Sequence, residues 1–314
     1  MFAYVIRRSI TALVSLVLAS VLVFAALLAI PGDPAEVLLG MDANPVTREA
    51  VRRQLGLDVP PLQRFFGWFG SAVQGDLGES IAYKRGVSDL IGERLSVSVP
   101  LAVGAALLAC LIALPLGIFA ALTRKTVFDP LITGIAQIGA AVPSFWLGLL
   151  LIIWFAVERK LLPSGGFVPW ERDFVGAVRS LVLPVIALSL NQAAVMTRMT
   201  RAVMIENMAA DYVRTARAKG LSGRRVVLRH ALKNALVTLV TVFGLALANL
   251  FIGSIVIEQV FSLPGLGRMA LSAIGNRDFP LVQGVVLVYA AAIILLSFLV
   301  DISYGFLDPR IRYN

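Results

Sequence analysis

Six stretches of this chain, each at least 18 residues long, contain no Asp, Glu, Lys or Arg: residues 9–32, 95–123, 130–157, 180–197, 234–257 and 279–300. A helix rises 1.5 Å per residue, so roughly 20 such residues cross a hydrocarbon core of about 30 Å. Inside lipid every backbone N–H and C=O must find its partner within the protein, which a helix achieves locally. The pattern therefore predicts an all-α membrane protein with six transmembrane helices. A composition that is 58% hydrophobic and 15% charged lies well outside the range of soluble domains.

The charges between these stretches set the orientation. Residues 198–233 hold nine Lys and Arg against Glu206 and Asp211, or +7 of the chain's total of +9. Residues 1–9, 124–129 and 305–314 sum to +2, +1 and +1, whereas 31–94, 158–179 and 258–278 sum to −2, +1 and 0. Basic loops stay on the cytoplasmic side, so both termini are expected there. The first stretch follows Arg7 and Arg8 as a secretion signal would, but it is too long for a signal core and ends at Ile30-Pro31-Gly32-Asp33 without a small-residue cleavage pattern, so a retained helix is expected. Cys110, the only cysteine, excludes an internal disulfide and reads as a small core residue.

The basic island has its own pattern. Asp211 is placed to cap a short helix over 212–219, Gly220 stops it where a left-handed residue is wanted, and Ser222 can cap a second helix towards Leu236. Two short helices between spans would make a compact basic knob, suited to being gripped by another protein.

On the opposite side, residues 31–94 are patterned. Asn44 and Pro45 open a helix that Gly56 ends; Pro61 opens a second, with Leu62, Phe65, Phe66 and Phe69 at helical spacing and Gly75 closing it. That aromatic face is expected to pack against the spans or the bilayer surface. Residues 76–80 read as a turn.

Pro115, Pro143 and Pro184 fall inside spans two, three and four, where each removes a backbone hydrogen bond and kinks the helix. The polar residues within spans, Gln137, Ser144, Asn191, Gln192, Thr197 and Asn249, should face the bundle interior; Asn191, Gln192 and Asn249 are the candidates for lining a pathway, with interhelical hydrogen bonding as the alternative. No stretch above holds an acid or base for an ion relay, which argues against an ion-coupled transporter.

Enzymatic signatures are missing from the sequence. His230 is the only histidine and lies in the basic island, so no HExxH zinc site and no Ser/His pair can be drawn. No GxxxxGK[ST] loop is present to hold a nucleotide. No catalytic residue, metal or cofactor site, or nucleic-acid contact is expected on this chain. Energy for moving a solute would have to come from another subunit.

The run Tyr212-Val213-Arg214-Thr215-Ala216-Arg217-Ala218-Lys219-Gly220-Leu221 resembles the EAA-type loop of ABC importer permeases, in the form used by the dipeptide, oligopeptide and nickel permease family. Aligned on Gly220, Arg214 and Thr215 replace the first two members of the general Glu-Ala-Ala pattern and Ala216 keeps the third, while His230 and Lys233 stand in place of its later Ile and Pro. The likeness continues through Tyr4 to Arg8, Pro31-Gly32-Asp33-Pro34, Leu55-Gly56-Leu57-Asp58 with Pro60, and Gly75-Asp76-Leu77-Gly78. It closes with Glu258 to Gly267, Arg277-Asp278-Phe279-Pro280 with Gln283-Gly284, and Leu307 to Tyr313.

This resemblance implies the type I importer permease fold in a bacterial inner membrane: the first permease of a pair, joined by a second homologous permease, two ABC ATPase subunits and an extracytoplasmic solute-binding protein, in contact with membrane lipid. ATP and Mg would bind the ATPase subunits, and residues 212–221 would couple them to the pore by alternating access. The implied division is a first helix over 1–30, an extracytoplasmic loop over 31–94, and a core over 95–314 containing the coupling loop 198–236. Peptides are the implied cargo, with nickel chelates and glutathione as alternatives. From the residues alone, a lipid-binding structural component or a passive channel stays open; salt-sensitive liposome binding or ATP-independent flux would mark them.

Overall fold

The computed structural model describes residues 2–29, 44–54 and 58–307, and every long element in it is a helix. In chain order these are α1 (Phe2–Ala29), α2 (Pro45–Gln54), α3 (Pro61–Val73), α4 (Val87–Leu122), α5 (Phe128–Ala141) and α6 (Ser144–Leu151), which runs on as a π-helix over Ile152–Glu158. There follow α7 (Phe174–Ala209), α8 (Asp211–Ala218), α9 (Gly223–Val260), α10 (Leu266–Gly275) and α11 (Phe279–Leu307). The Gly56 stop, Pro31 to Pro34 and Asp308 to Tyr313 lie outside the described residues.

Five helices, α1, α4, α7, α9 and α11, are unbroken and apolar enough to span. The third span is the exception: α5 and α6 meet at a 93° bend. Pro143 breaks the helix there rather than kinking it, because the residue before a proline is driven out of the α region and Val142 sits at φ −77°, ψ 123°. Pro115 and Pro184, by contrast, stay inside continuous helices. The bent pair still crosses. Trp170, just before α7, donates its indole N–H to the Ser96 carbonyl near the start of α4, while the far ends of both helices, Leu122 and Met208, line one cleft. Helices α4 and α7 therefore run the same way, and the chain returns between them through α5 and α6.

Helix α7 is the axis of the bundle, with 44% of its most apolar window buried against 11% for α1 and α11. It packs on α4 through small residues: Ala105, Ala109, Ala113, Gly117 and Ala120 are buried in turn-spaced register. At Gly117 the backbones are so close that a Cβ would meet the Thr197 carbonyl oxygen at 2.7 Å. Small residues permit this approach in a setting where lipid supplies no hydrophobic drive. The mid-span outer faces of α1 and α4, by contrast, are apolar, with Leu13, Leu18 and Leu22 on one and Val103, Leu107 and Leu111 on the other. Helices α1 and α11 are tied by Arg8 to Asp301 at 3.3 Å and by the Tyr4 hydroxyl, which donates to the Asp301 carbonyl.

The extracytoplasmic end is closed by two buried carboxylates at helix N-termini. Glu258 accepts from the backbone N–H of Gly267 at 2.7 Å and Arg268 at 3.0 Å with one oxygen, and from the Ser98 and Ser254 hydroxyls with the other. Ser98 in turn accepts from the N–H of Leu266, so the orphan donors at the start of α10 are satisfied by α4 and α9. Gly265 has no room for a side chain, since a Cβ would collide with the Glu258 carboxylate. Asp278 opens α11, accepting from the N–H of Leu281 and, across the fold, from the Ser80 hydroxyl at 2.5 Å and the Ala82 N–H at 3.0 Å. The 76–80 turn thus continues into a small bridge pairing Glu79 with Gly86.

On the same side, Asn44 accepts from the N–H of Val46 and starts α2 as its sequence predicts. The aromatic face of α3 divides: Phe65 stacks edge-on against Phe24 of α1 with ring centres 5.4 Å apart, whereas Leu62 and Phe66 are exposed.

Candidate functional site at the cytoplasmic end

The basic island is helical almost throughout. Helix α7 carries Arg198 and Arg201 before ending at Ala209; Ala210 alone separates it from α8; Lys219 to Ser222 form the next joint. Asp211 is the first residue of α8 and not its cap, a place taken by Ala210 with no side-chain bond. Ser222 holds the cap position of the following helix without a side-chain hydrogen bond. That helix does not end near Leu236 but passes through a π turn over Val226–Ala231 into the fifth span. The extra residue of a π turn shifts the helix face, leaving Arg224, Arg225 and Arg229 outside while Val226, Val227 and Ala231 are buried.

Gly220 ends α8 as expected, at φ +76°, a region costly for any residue with a Cβ. The Leu221 N–H reaches back to the Ala216 carbonyl and the Gly220 N–H to the Arg217 carbonyl, the paired bonds of a Schellman stop.

Two faces of α8 differ completely. Val213 and Ala216 are buried among Met204, Val226, Val227, Ala231, Ala235 and Leu239. Ala216 is therefore small for packing on its own chain, a use the sequence does not reveal. Tyr212, Arg214, Thr215, Arg217, Ala218 and Lys219 are exposed, and Gly220 has open space where a Cβ would stand. The polar contacts on that face are local: Tyr212 donates to the Asn207 side chain at 2.8 Å, Thr215 to the Asp211 carbonyl, and Arg214 lies 3.5 Å from Asp211. Half-buried Leu221 completes the element beside a cleft of about 910 Å³ that Arg124, Arg217 and Arg224 rim.

The three pathway candidates fall in different settings. Asn191 donates its amide to the carbonyls of Ala140 at 2.9 Å, Val142 at 3.3 Å and Gly139 at 3.5 Å, the acceptors left free where Pro143 breaks the third span. Gln192 is half-buried on α7. Asn249 is exposed in the middle of α9, on a face it shares with exposed Leu245, Ile252 and Val256. An amide in the middle of a span is costly against lipid.

Two interhelical contacts escaped the sequence reading. Arg201 grips Asp129 along one edge of its guanidinium, Nε and Nη2 each donating to one carboxylate oxygen at 2.5 and 2.6 Å, and Arg198 donates to Gln137 at 2.5 Å. The three-residue spacing of the two arginines, set against a lone acid in the 124–129 turn, is the signal that could have found them.

This is a polytopic bundle with a solvent-facing helix jutting from its basic end, the architecture of a permease worked by a partner. The family model described as "Binding-protein-dependent transport system inner membrane component" matches residues 113–313, and the corresponding N-terminal model matches 1–102. The chain belongs to this family of ABC importer permeases. It is 41% identical to a Brucella abortus (strain 2308) chain named "Putative peptide transport system permease protein" and 40% identical to the glutathione transport system permease protein GsiC of Escherichia coli (strain K12), each over the full length of both chains. Its fold is similar to that of the MetNI methionine ABC transporter in an inward-facing conformation, with a TM-score of 0.57 and 19% identity over 69% of this chain and 96% of that one. The protein is thus a multi-pass bacterial inner-membrane permease of an ABC importer, and separate ATPase subunits hydrolyse the ATP.

Proposed function

We propose that α8 with its stop, Tyr212 to Leu221, is the element the ATPase grips, and that this chain forms half of a pathway for short peptides or glutathione-like solutes. The observation that carries the coupling role is the split of α8: Val213 and Ala216 anchor it, and among the described residues its other face makes only local bonds. Exposed ion pairs contribute little, so seating depends on shape more than on any one charge. ATP-driven closure of two ATPases would draw two such helices together, one from each permease, and rock the spans from inward-open to outward-open. The core over 95–314 performs this motion, while 31–94 faces the side where a solute-binding protein delivers cargo.

The names of full-length relatives support the substrate class. Asn249, exposed in mid-span where an amide is costly against lipid, belongs on this reading to the α9 face turned towards the second permease, with Gln192 nearer the axis; Asn191 reaches the pathway only through the bend it holds. Isolating the cognate binding protein and identifying its trapped ligand by mass spectrometry tests the cargo: a peptide or glutathione is expected, and a metal chelate contradicts it. Gly220→Trp tests the coupling. It forces a bulky residue into φ +76° with space around it, so the chain should insert while uptake per ATP falls at least about tenfold.

A further inference from the structure

Helix α5 is isolated along the chain and fastened sideways. Before it, residues 123–127 form a turn in which Lys125 adopts φ 82°; after it comes the Val142–Pro143 break. Both joints interrupt the helix axis, the second with a 93° bend. Sideways, four α7 residues at turn spacing meet it. Arg201 holds Asp129 in a two-bond ion pair, Arg198 holds Gln137, Ala194 lies under Gly139, and Asn191 holds the carbonyls of 139, 140 and 142. Positions 191, 194, 198 and 201 form one stripe of a helix. The ion pair is partly shielded, with side chains 27% and 10% exposed, and its two-bond geometry makes it stronger than a single exposed contact.

From this geometry we propose that α5 rides on α7 as one rigid body through the transport cycle, with Asp129, Gln137, Arg198, Arg201 and Asn191 as positioning residues. Since α7 leads through Ala210 alone into α8, displacement of α8 reaches the first half of the third span through this seam and not through the chain. The inference rests on α8 being the coupling helix; failure of that reading would appear separately, as full coupling in Gly220→Trp.

The test uses the whole complex with its ATPase partners in nanodiscs. In a Cys110→Ser background, Gly139→Cys with Ala194→Cys places two thiols on Cβ atoms about 3.3 Å apart, near the roughly 3.8 Å a disulfide prefers. Oxidation should leave ATP hydrolysis within about twofold of the reduced sample; a fall beyond about tenfold, restored by dithiothreitol, overturns the proposal. Should that pair not fold, nitroxides at Ile135 and Met199, both exposed, give the α5–α7 separation directly. It should agree between nucleotide-free and vanadate-trapped complexes to about 1 Å, and a ratchet of about 5 Å overturns the proposal. Asp129→Asn should make that separation depend on state, and Asp129→Arg with Arg201→Asp should restore its constancy. A purely structural pair would lower yield without state dependence.

Discussion

The buried carboxylates of the extracytoplasmic end and the exposed helix α8 of the cytoplasmic end handle charge in opposite ways. At the extracytoplasmic end Glu258 and Asp278 are buried, and each carboxylate is surrounded by donors from elements distant in sequence. At the cytoplasmic end the charges of α8 and of the turn after it are exposed, and the helix is anchored by two small apolar side chains. Buried polar groups persist only when satisfied, so the first end is a finished frame. On the proposed reading, the exposed face of α8 at the second end awaits a partner outside the chain. An importer worked from the cytoplasm needs both, one end to hold its shape and one to be moved.

This contrast fails or tightens according to how substitutions behave at each end. The largest stability loss should follow Glu258→Ala, which strands the N–H groups of Gly267 and Arg268 together with the Ser98 hydroxyl. A loss of about 3 kcal/mol or more is expected, read as a lowered midpoint of thermal unfolding in detergent. Gly265→Ala should act in the same direction through its collision with that carboxylate. A smaller loss, about 1–2 kcal/mol, is expected of Asn191→Ala, which frees the carbonyls at the α5–α6 break. Gly220→Trp should cost modest stability by comparison yet lower uptake per ATP most strongly. Arg214→Ala removes only an exposed pair with Asp211 and should leave the unfolding midpoint unchanged. If Arg214→Ala destabilised the chain as much as Glu258→Ala, the division between frame and handle would be wrong.

The spans and their orientation were legible in the sequence because a charge in hydrocarbon is expensive and leaves a gap that is easily seen. Helix ends were less so. An uncharged stretch starts the second span at residue 95, whereas α4 begins at Val87, and α7 runs on to Ala209, because a helix continues into water where charges cost nothing. Gly220 was readable because its left-handed conformation is a property of one residue. Asp129 with Arg201 was not, since both count as loop charges until the rotation of α7 about its axis is known. Glu258 likewise counts as a loop charge, and only the turn over 261–265 brings the N–H groups nine and ten residues later back to it. Ala216 was not readable either: that its small side chain packs against the chain's own core is seen only in the fold.

Thiol protection along α8 tests the division most directly. In the Cys110→Ser background, single cysteines at Thr215 and Ala218 should react freely with a maleimide in the permease alone and become protected when the ATPase subunits are bound, while a cysteine at exposed Tyr83 on the far side should react equally in both. Equal labelling of Thr215 and Ala218 with and without the ATPase would contradict the reading of α8 as the handle.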